Sequence, residues 1–156
     1  MTDMTDSTDA ELIFTLQLEF PKEQVYLAWT EAEQLSQWFK PPGFSVELCE
    51  VDAKVGGQFK LHLRSEMGDL YPTQGQYQEV TPNQRLVYID TWDDDRDQIP
   101  LVNVVVFDDL EAGKSRLSLF SVFQSEEHKK AVLEQGEREG WYLFMENLNR
   151  HLSNLA

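Results

Sequence analysis

The apolar positions of this chain change their spacing twice. In ELIFTLQLEF (11–20) they alternate, with Leu12, Phe14, Leu16, Leu18 and Phe20 on one face and Ile13, Thr15 and Gln17 on the other. That is the two-residue repeat of a half-buried β-strand. Pro21 stops the strand and suits the first turn of a helix. After it Val25, Ala28, Trp29, Ala32, Leu35, Trp38 and Phe39 recur at helical spacing. One bent helix or two short ones are expected there, ending before Lys40-Pro41-Pro42-Gly43, because a residue preceding proline avoids the helical region.

From 44 to 124 the pattern returns to strands. FSVELCEVD, GGQFKLHLRSE, YPTQGQYQEV, QRLVYIDTW, LVNVVVFDDL and KSRLSLFSVF are each alternating or continuously apolar, and short turn signals rich in Gly, Pro, Asn and Asp separate them. Connections this short make hairpins, so an antiparallel meander is expected. Segments 86–92 and 101–107 are apolar on both faces, unlike a strand with one solvated side. Ser125 is placed to cap a last helix, with Glu126 and Glu127 in its first turn. Val132, Gly136, Gly140, Phe144, Leu148 and Leu152 then share one i,i+4 row, widened by Trp141, Met145 and Leu155. The glycines on that row allow a bend, and permit either a close approach of strands or room for a guest. The order of elements predicts an α+β fold: a curved antiparallel sheet of about seven strands around a long C-terminal helix, with two short helices after the first strand.

Composition narrows the picture. Residues 1–10 alternate Thr, Asp and Ser with almost nothing to bury and are expected to form a mobile acidic tail; residues 11–156 make one domain. Thirteen Lys+Arg against 28 Asp+Glu leave a net charge of −15, which argues against nucleic acid and anionic membrane surfaces as partners. The one cysteine, Cys49, has no internal disulfide partner. With no basic leader segment and no run of about 20 apolar residues, the expectation is a soluble cytoplasmic protein.

FPKEQVYLAWTEAEQLSQWF, VGGQFKL, QGQYQEVTPNQRLVYIDTW and GWYLFMENLNRHL, in that order, resemble single-domain homologues of the C-terminal domain of the heat-shock-protein-90 ATPase activator, within the START-like helix-grip superfamily (SRPBCC). The resemblance spans roughly residues 11–155. It implies a sheet gripping the C-terminal helix, with a cavity for an apolar molecule between them, and it suggests a chaperone or other protein as a possible partner. Many relatives carry a histidine shortly before the helix Gly-Trp pair; here Glu137, Arg138 and Glu139 stand there, so no role of that histidine carries over.

Candidate chemistry is sparse. His62, His128 and His151 fall in different elements, and with one cysteine they do not make the ligand set of a metal site; no metal and no cofactor are expected. His62, between Lys60 and Arg64 on one strand face, reads as solvated. Cys49 reads as a small strand hydrophobe rather than a nucleophile. Asp93-Asp94-Asp95 with Asp97, and Asp108-Asp109, lack the spacing of a calcium loop and read as solvated turns. Glu79 and Asp90 interrupt apolar strands; buried there, either is a candidate general acid or base, and the alternative is an ion pair or water.

The strongest signal is aromatic. Trp38, Phe39, Phe59, Tyr71, Tyr77, Tyr88, Trp92, Phe120, Trp141 and Phe144, with Met145, are the expected ligand-binding set, and Phe123 belongs with them by type. Three functions are open at this point. Binding of a small hydrophobic or aromatic ligand without catalysis comes first, and a co-chaperone-like interaction module second. A cyclase, dehydratase or hydrolase using a cavity carboxylate is the third.

Overall fold

The computed structural model describes residues 2–5, 11–94, 100–134 and 136–155. The elements in chain order are β1 (Thr2–Thr5), β2 (Glu11–Leu18), α1 (Lys22–Thr30), α2 (Ala32–Trp38), β3 (Ser45–Val51), β4 (Gln58–Arg64), β5 (Leu70–Thr81), β6 (Arg85–Trp92), β7 (Leu101–Asp109), β8 (Ser115–Val122), α3 (Glu126–Glu134) and α4 (Glu137–Leu155). The strands form one antiparallel sheet in the order β1-β2-β8-β7-β6-β5-β4-β3. Strands β3 to β8 are therefore the expected meander, and β2 closes onto β8.

The sheet has one strand more than the seven expected. Thr2–Thr5 pairs with β2, Thr2 opposite Leu16 and Thr5 opposite Ile13, where a mobile tail was expected. The backbone of β2 would otherwise be an open edge of unpaired N–H and C=O groups, and a threonine-rich segment fits such an edge. Residues 6–10 of the expected tail lie outside the described residues. Breaks in register between Val46 and Leu48 and between Tyr77 and Glu79 mark β-bulges, which bend strands.

The concave face carries the core. Leu12, Phe14, Leu16 and Leu18 of β2 are all buried, as are Leu117 and Leu119 of β8 and Val105 and Phe107 of β7. Helices α1 and α2 meet at Glu31, which is extended (φ −96°, ψ 125°), and the Trp38 indole N–H donates to the Ala28 carbonyl at 2.8 Å across the corner. The two short helices are thus one bonded unit.

The single long C-terminal helix is in fact two. The Ser125 hydroxyl accepts from the His128 N–H at 3.0 Å and caps α3 as expected. Gly136 then takes φ +92°, a left-handed conformation that ends α3 at little cost for glycine alone. On α4 the buried stripe is Trp141, Met145, Leu148 and Leu152, none more than 4% exposed. Tyr142 packs its ring on Phe14 at 5.7 Å, while Leu143 faces outward at 38% exposed and Leu155 at 51%. The Asn147 amide donates to the Lys40 carbonyl at 2.9 Å and reaches that of Trp38 at 3.3 Å. His151 bonds Gln34 at 3.1 Å. The C-terminal half of α4 is therefore pinned to α2.

On the convex face no helix is packed, and Val87, Ile89, Val102, Val104, Phe120 and Val122 are half-buried. They shield one another through cross-strand pairs such as Val104 with Phe120 and Val87 with Val104. Mutual shielding, rather than burial under a second layer, explains why β6 and β7 read as apolar on both faces.

Leu148→Ala is expected to lower unfolding stability by about 2–5 kcal/mol, because it leaves a cavity in a fully buried site. Leu143→Ala, two turns' reach from the same core but outward-facing, should change it by less than about 0.5 kcal/mol. Urea unfolding of the two variants checks the orientation of α4 directly.

Candidate functional site

Between the N-terminal half of α4 and strands β4 to β6 a pocket of about 420 Å³ opens. Strand β4 supplies Phe59, Leu61 and Leu63, β5 supplies Tyr71 and Thr73, and β6 supplies Asp90, Thr91 and Trp92. Leu101 of β7 and Phe39, Pro41 and Phe44 after α2 complete the sheet side and rim. The helical wall is His128, Val132, Gly136, Gly140, Trp141 and Phe144. At Gly140 an added Cβ would meet no atom within 4 Å. The helix is bare where it faces the gap.

The wall is held by ring contacts. Phe39 meets Phe144 at 4.7 Å and Trp141 at 5.7 Å, and Trp141 meets Phe144 edge-on at 5.7 Å. Trp141 also stacks on buried Trp29 at 6.3 Å, and Trp29 meets Trp38 edge-on at 4.9 Å, so the wall is continuous with the core. Across the pocket Tyr71 lies 5.5 Å from Phe44 and 6.4 Å from Trp92. Offset and edge-to-face pairs of this kind add to the stability of burial itself and restrict ring motion.

The expected ligand-binding set divides. Phe39, Phe59, Tyr71, Trp92, Trp141 and Phe144 line the pocket. Trp38, Tyr77, Tyr88 and Met145 do not; each is at most 2% exposed within the core. Burial pushes the Tyr77 hydroxyl well above its ordinary value. Phe120 is on the convex face, paired across strands with Ile13 and Val104, so it touches nothing in the pocket. The buried Leu117 and Leu119 set the inward positions of β8, and Phe120 falls between them on the other side.

The two candidate carboxylates also separate. The bulge between Tyr77 and Glu79 shifts the side-chain alternation of β5 by one. Glu79 is thereby turned to the convex face, where its carboxylate meets the Arg85 guanidinium at 3.1 Å, half exposed. It has no access to the pocket. Asp90, opposite Gly75 on β5 and Leu101 on β7, does line it and is engaged with a neighbour.

His128 was the residue the pattern of the chain concealed. It is four positions before Val132 and so begins the row that continues through Gly136, Gly140 and Phe144, all of them on the pocket wall. Extending that row back by one step would have found it. Its Nδ1 accepts from the Gln124 N–H at 3.1 Å and its ring packs on Phe123 at 5.5 Å. An accepting Nδ1 leaves the proton on Nε2, and burial holds the imidazole pKa below its ordinary value. The ring is neutral.

The remaining polar candidates are engaged elsewhere. His62 is not free in solvent: its Nε2 lies 3.0 Å from Asp93, which Lys60 also meets at 3.3 Å, and the His62 bond draws the Asp93 carboxyl below its usual range. Asp108 faces Arg116 and Asp109 faces Lys22, each at 3.8 Å; Asp95 and Asp97 lie outside the described residues. Cys49 Sγ donates to the Ala32 carbonyl at 3.4 Å, and burial raises its thiol pKa. Among the described residues no three His, Cys, Asp or Glu side chains converge to hold a metal, and no helix is long and apolar enough to cross a membrane.

An antiparallel sheet curved around a C-terminal helix, with a pocket between them, defines a START-like helix-grip (SRPBCC) protein. Residues 19–153 match the family described as Activator of Hsp90 ATPase homolog 1-like protein, and the chain belongs to it. Among solved structures, a protein from Nitrosomonas europaea is similar at 24% identity and TM-score 0.84, covering 96% of this chain and 97% of its own. One from Rhodobacter sphaeroides is similar at 17% identity and TM-score 0.89, covering all of both chains. A third, from Mycobacterium smegmatis, has 20% identity and TM-score 0.85, covering 96% and 94%. These likenesses establish the fold. A comparison with curated proteins gave no significant match. Family and fold together make this a ligand-binding or interaction module in general terms.

Burial lowers the pKa of both His128 and His151 below the ordinary 6.5. Just below that value the unfolded chain binds protons that the folded chain does not, so stability falls as pH drops through this range. Protonation also removes the acceptor of the Gln124 N–H. The NMR titration midpoint of the His128 ring is expected below 6.5, with faster exchange of the Gln124 amide on the acid side. A midpoint above the ordinary value would show that the ring is not the buried acceptor described.

Proposed function

We propose that this protein binds a small uncharged hydrophobic or aromatic molecule in the pocket between α4 and the sheet and does not transform it. The observation that carries the reading is the bare helix wall. Gly140 faces open space where any larger residue would project into the gap, although glycine in a helix interior costs about 1 kcal/mol relative to alanine. A volume of about 420 Å³ is within the range of small-molecule sites. The aromatic lining supplies apolar surface, and Asp90, Thr73, Thr91 and neutral His128 are its few polar points. Among the described residues none that line the pocket is lysine or arginine, which favours an uncharged ligand over a carboxylate or phosphate head group.

One observation favours catalysis: Asp90 and His128 line the same pocket. The two readings part on the fate of the bound molecule. Under the binding reading, the compound extracted from gently purified protein is recovered at unchanged mass after incubation. A mass change that Asp90→Asn abolishes would replace binding by turnover.

The neutral fluorophore N-phenyl-1-naphthylamine is the direct probe. It is expected to bind with blue-shifted emission, and a long-chain fatty acid anion should displace it poorly. Gly140→Ala should raise helix stability by up to about 1 kcal/mol and leave binding intact. Gly140→Leu should fill the gap and weaken the probe by about tenfold or more, with the circular dichroism unchanged. Wild-type protein that neither binds the probe nor carries an apolar adduct in native mass spectrometry would overturn the ligand reading in favour of the protein-partner reading that the family description supports.

A further inference from the structure

Behind Phe59 of the pocket wall the sheet has a bare position of its own. Gly75 of β5 is paired with Phe59 of β4 on one side and Asp90 of β6 on the other, and it is buried on the concave face. A Cβ built on Gly75 would lie 2.1 Å from Phe59 Cε1 and 2.4 Å from Cζ. The Phe59 ring therefore occupies the space of the side chain that residue 75 lacks. Tyr88 meets the ring edge-on at 5.1 Å and Tyr77 at 5.8 Å, so the paired tyrosines at the next inward positions of β5 and β6 hold it from that side. The ring is 6% exposed, yet it forms part of the pocket wall.

Any side chain at 75 must expel that ring. Tyr77 and Tyr88 block it on one side and the backbone blocks it below, which leaves the pocket, on the side of Thr73 and Trp92, as the open direction. The space available to a ligand is bounded at this level by Phe59, seated in the notch of Gly75, and by Gly140 on α4. Both boundaries are set by the absence of a side chain, one directly and one through a ring.

We propose that Gly75 is the specificity-determining residue of the pocket. By letting Phe59 sink into the sheet, it gives the pocket the depth for a ring system, where a side chain at 75 would leave room only for a slim alkyl chain. Gly75 touches no ligand; it acts by positioning Phe59. This inference rests on the ligand reading above and adds to it the shape class of the ligand.

The test uses the full chain and two neutral compounds, N-phenyl-1-naphthylamine as the ring-bearing probe and 1-dodecanol as the alkyl competitor. Gly75→Ala is expected to weaken the fluorophore by about tenfold while changing the affinity for dodecanol by less than about threefold. The double variant Gly75→Ala with Phe59→Leu should recover most of the fluorophore affinity, a rescue that general damage to the fold would not produce. Should Gly75→Ala fail to fold, Phe59→Leu alone in the native background decides. It deepens the pocket from the same side, so the larger neutral dye Nile red should bind about fivefold or more tighter than to wild type. Equal weakening of ring and chain compounds by a folded Gly75→Ala, no rescue in the double variant, or unchanged Nile red affinity would each overturn the role of Gly75 while leaving the ligand reading standing. Absence of all binding to wild type, with Gly140→Leu indistinguishable from it, would instead overturn the ligand reading and this inference with it.

Discussion

The structure depends on how α4 is seated. Its C-terminal half is pressed into the concave sheet by Met145, Leu148 and Leu152, which are at most 1% exposed, and it is tied to α2 through Asn147 and His151. At its N-terminal end stand the two glycines of the helical row. Gly136 breaks the helix line, Gly140 offers no side chain to the sheet, and the sheet curves away under its bulges. Trp141 and Tyr142 still hold this half to Phe14 of β2, but toward β4, β5 and β6 it leaves a gap. The pocket is that divergence of helix from sheet, and it lies where the apolar row of the helix gives way to glycine.

Aromatic packing keeps the divergence from collapsing. A close-packed interior normally leaves few voids larger than water, and an apolar gap persists only if its walls cannot relax inward. Here Trp141 is buttressed by Trp29 and Phe14, Phe39 by Trp38 and Phe144, and Phe59 by two tyrosines. Large rigid rings locked on several sides do not slump into a gap as flexible aliphatic chains would. The same rings present apolar faces to whatever enters.

Much of this was legible in the chain. The alternation of 11–18, the stop at Pro21, the meander of six strands and the cap at Ser125 are local patterns, and each appears where expected. The row Val132, Gly136, Gly140 and Phe144 also holds, as the helical wall of the pocket. What failed shares a different origin. Glu79 is turned outward by a bulge one residue away, Phe120 lies on the face opposite to the buried Leu117 and Leu119 of its strand and shelters among convex-face neighbours, and Thr2–Thr5 is held by pairing to an edge that its own composition does not reveal. Gly136 was read as a helix position and acts as a helix end. Each turned on a partner or a conformation outside the window that the pattern covers.

The sequence by itself determined the identity and order of the elements from β2 to β8 and the helical character of the C-terminal segment, because the two-residue and 3.6-residue periods and the turn residues act over a few neighbours. It also determined that the core would be aromatic. Only the tertiary structure decided which rings face the pocket, which carboxylate reaches it, and that Phe59, seated over Gly75, and Gly140 share its wall. Those outcomes depend on register, bulges and the seating of one helix, and these are properties of pairs of segments that no single segment carries.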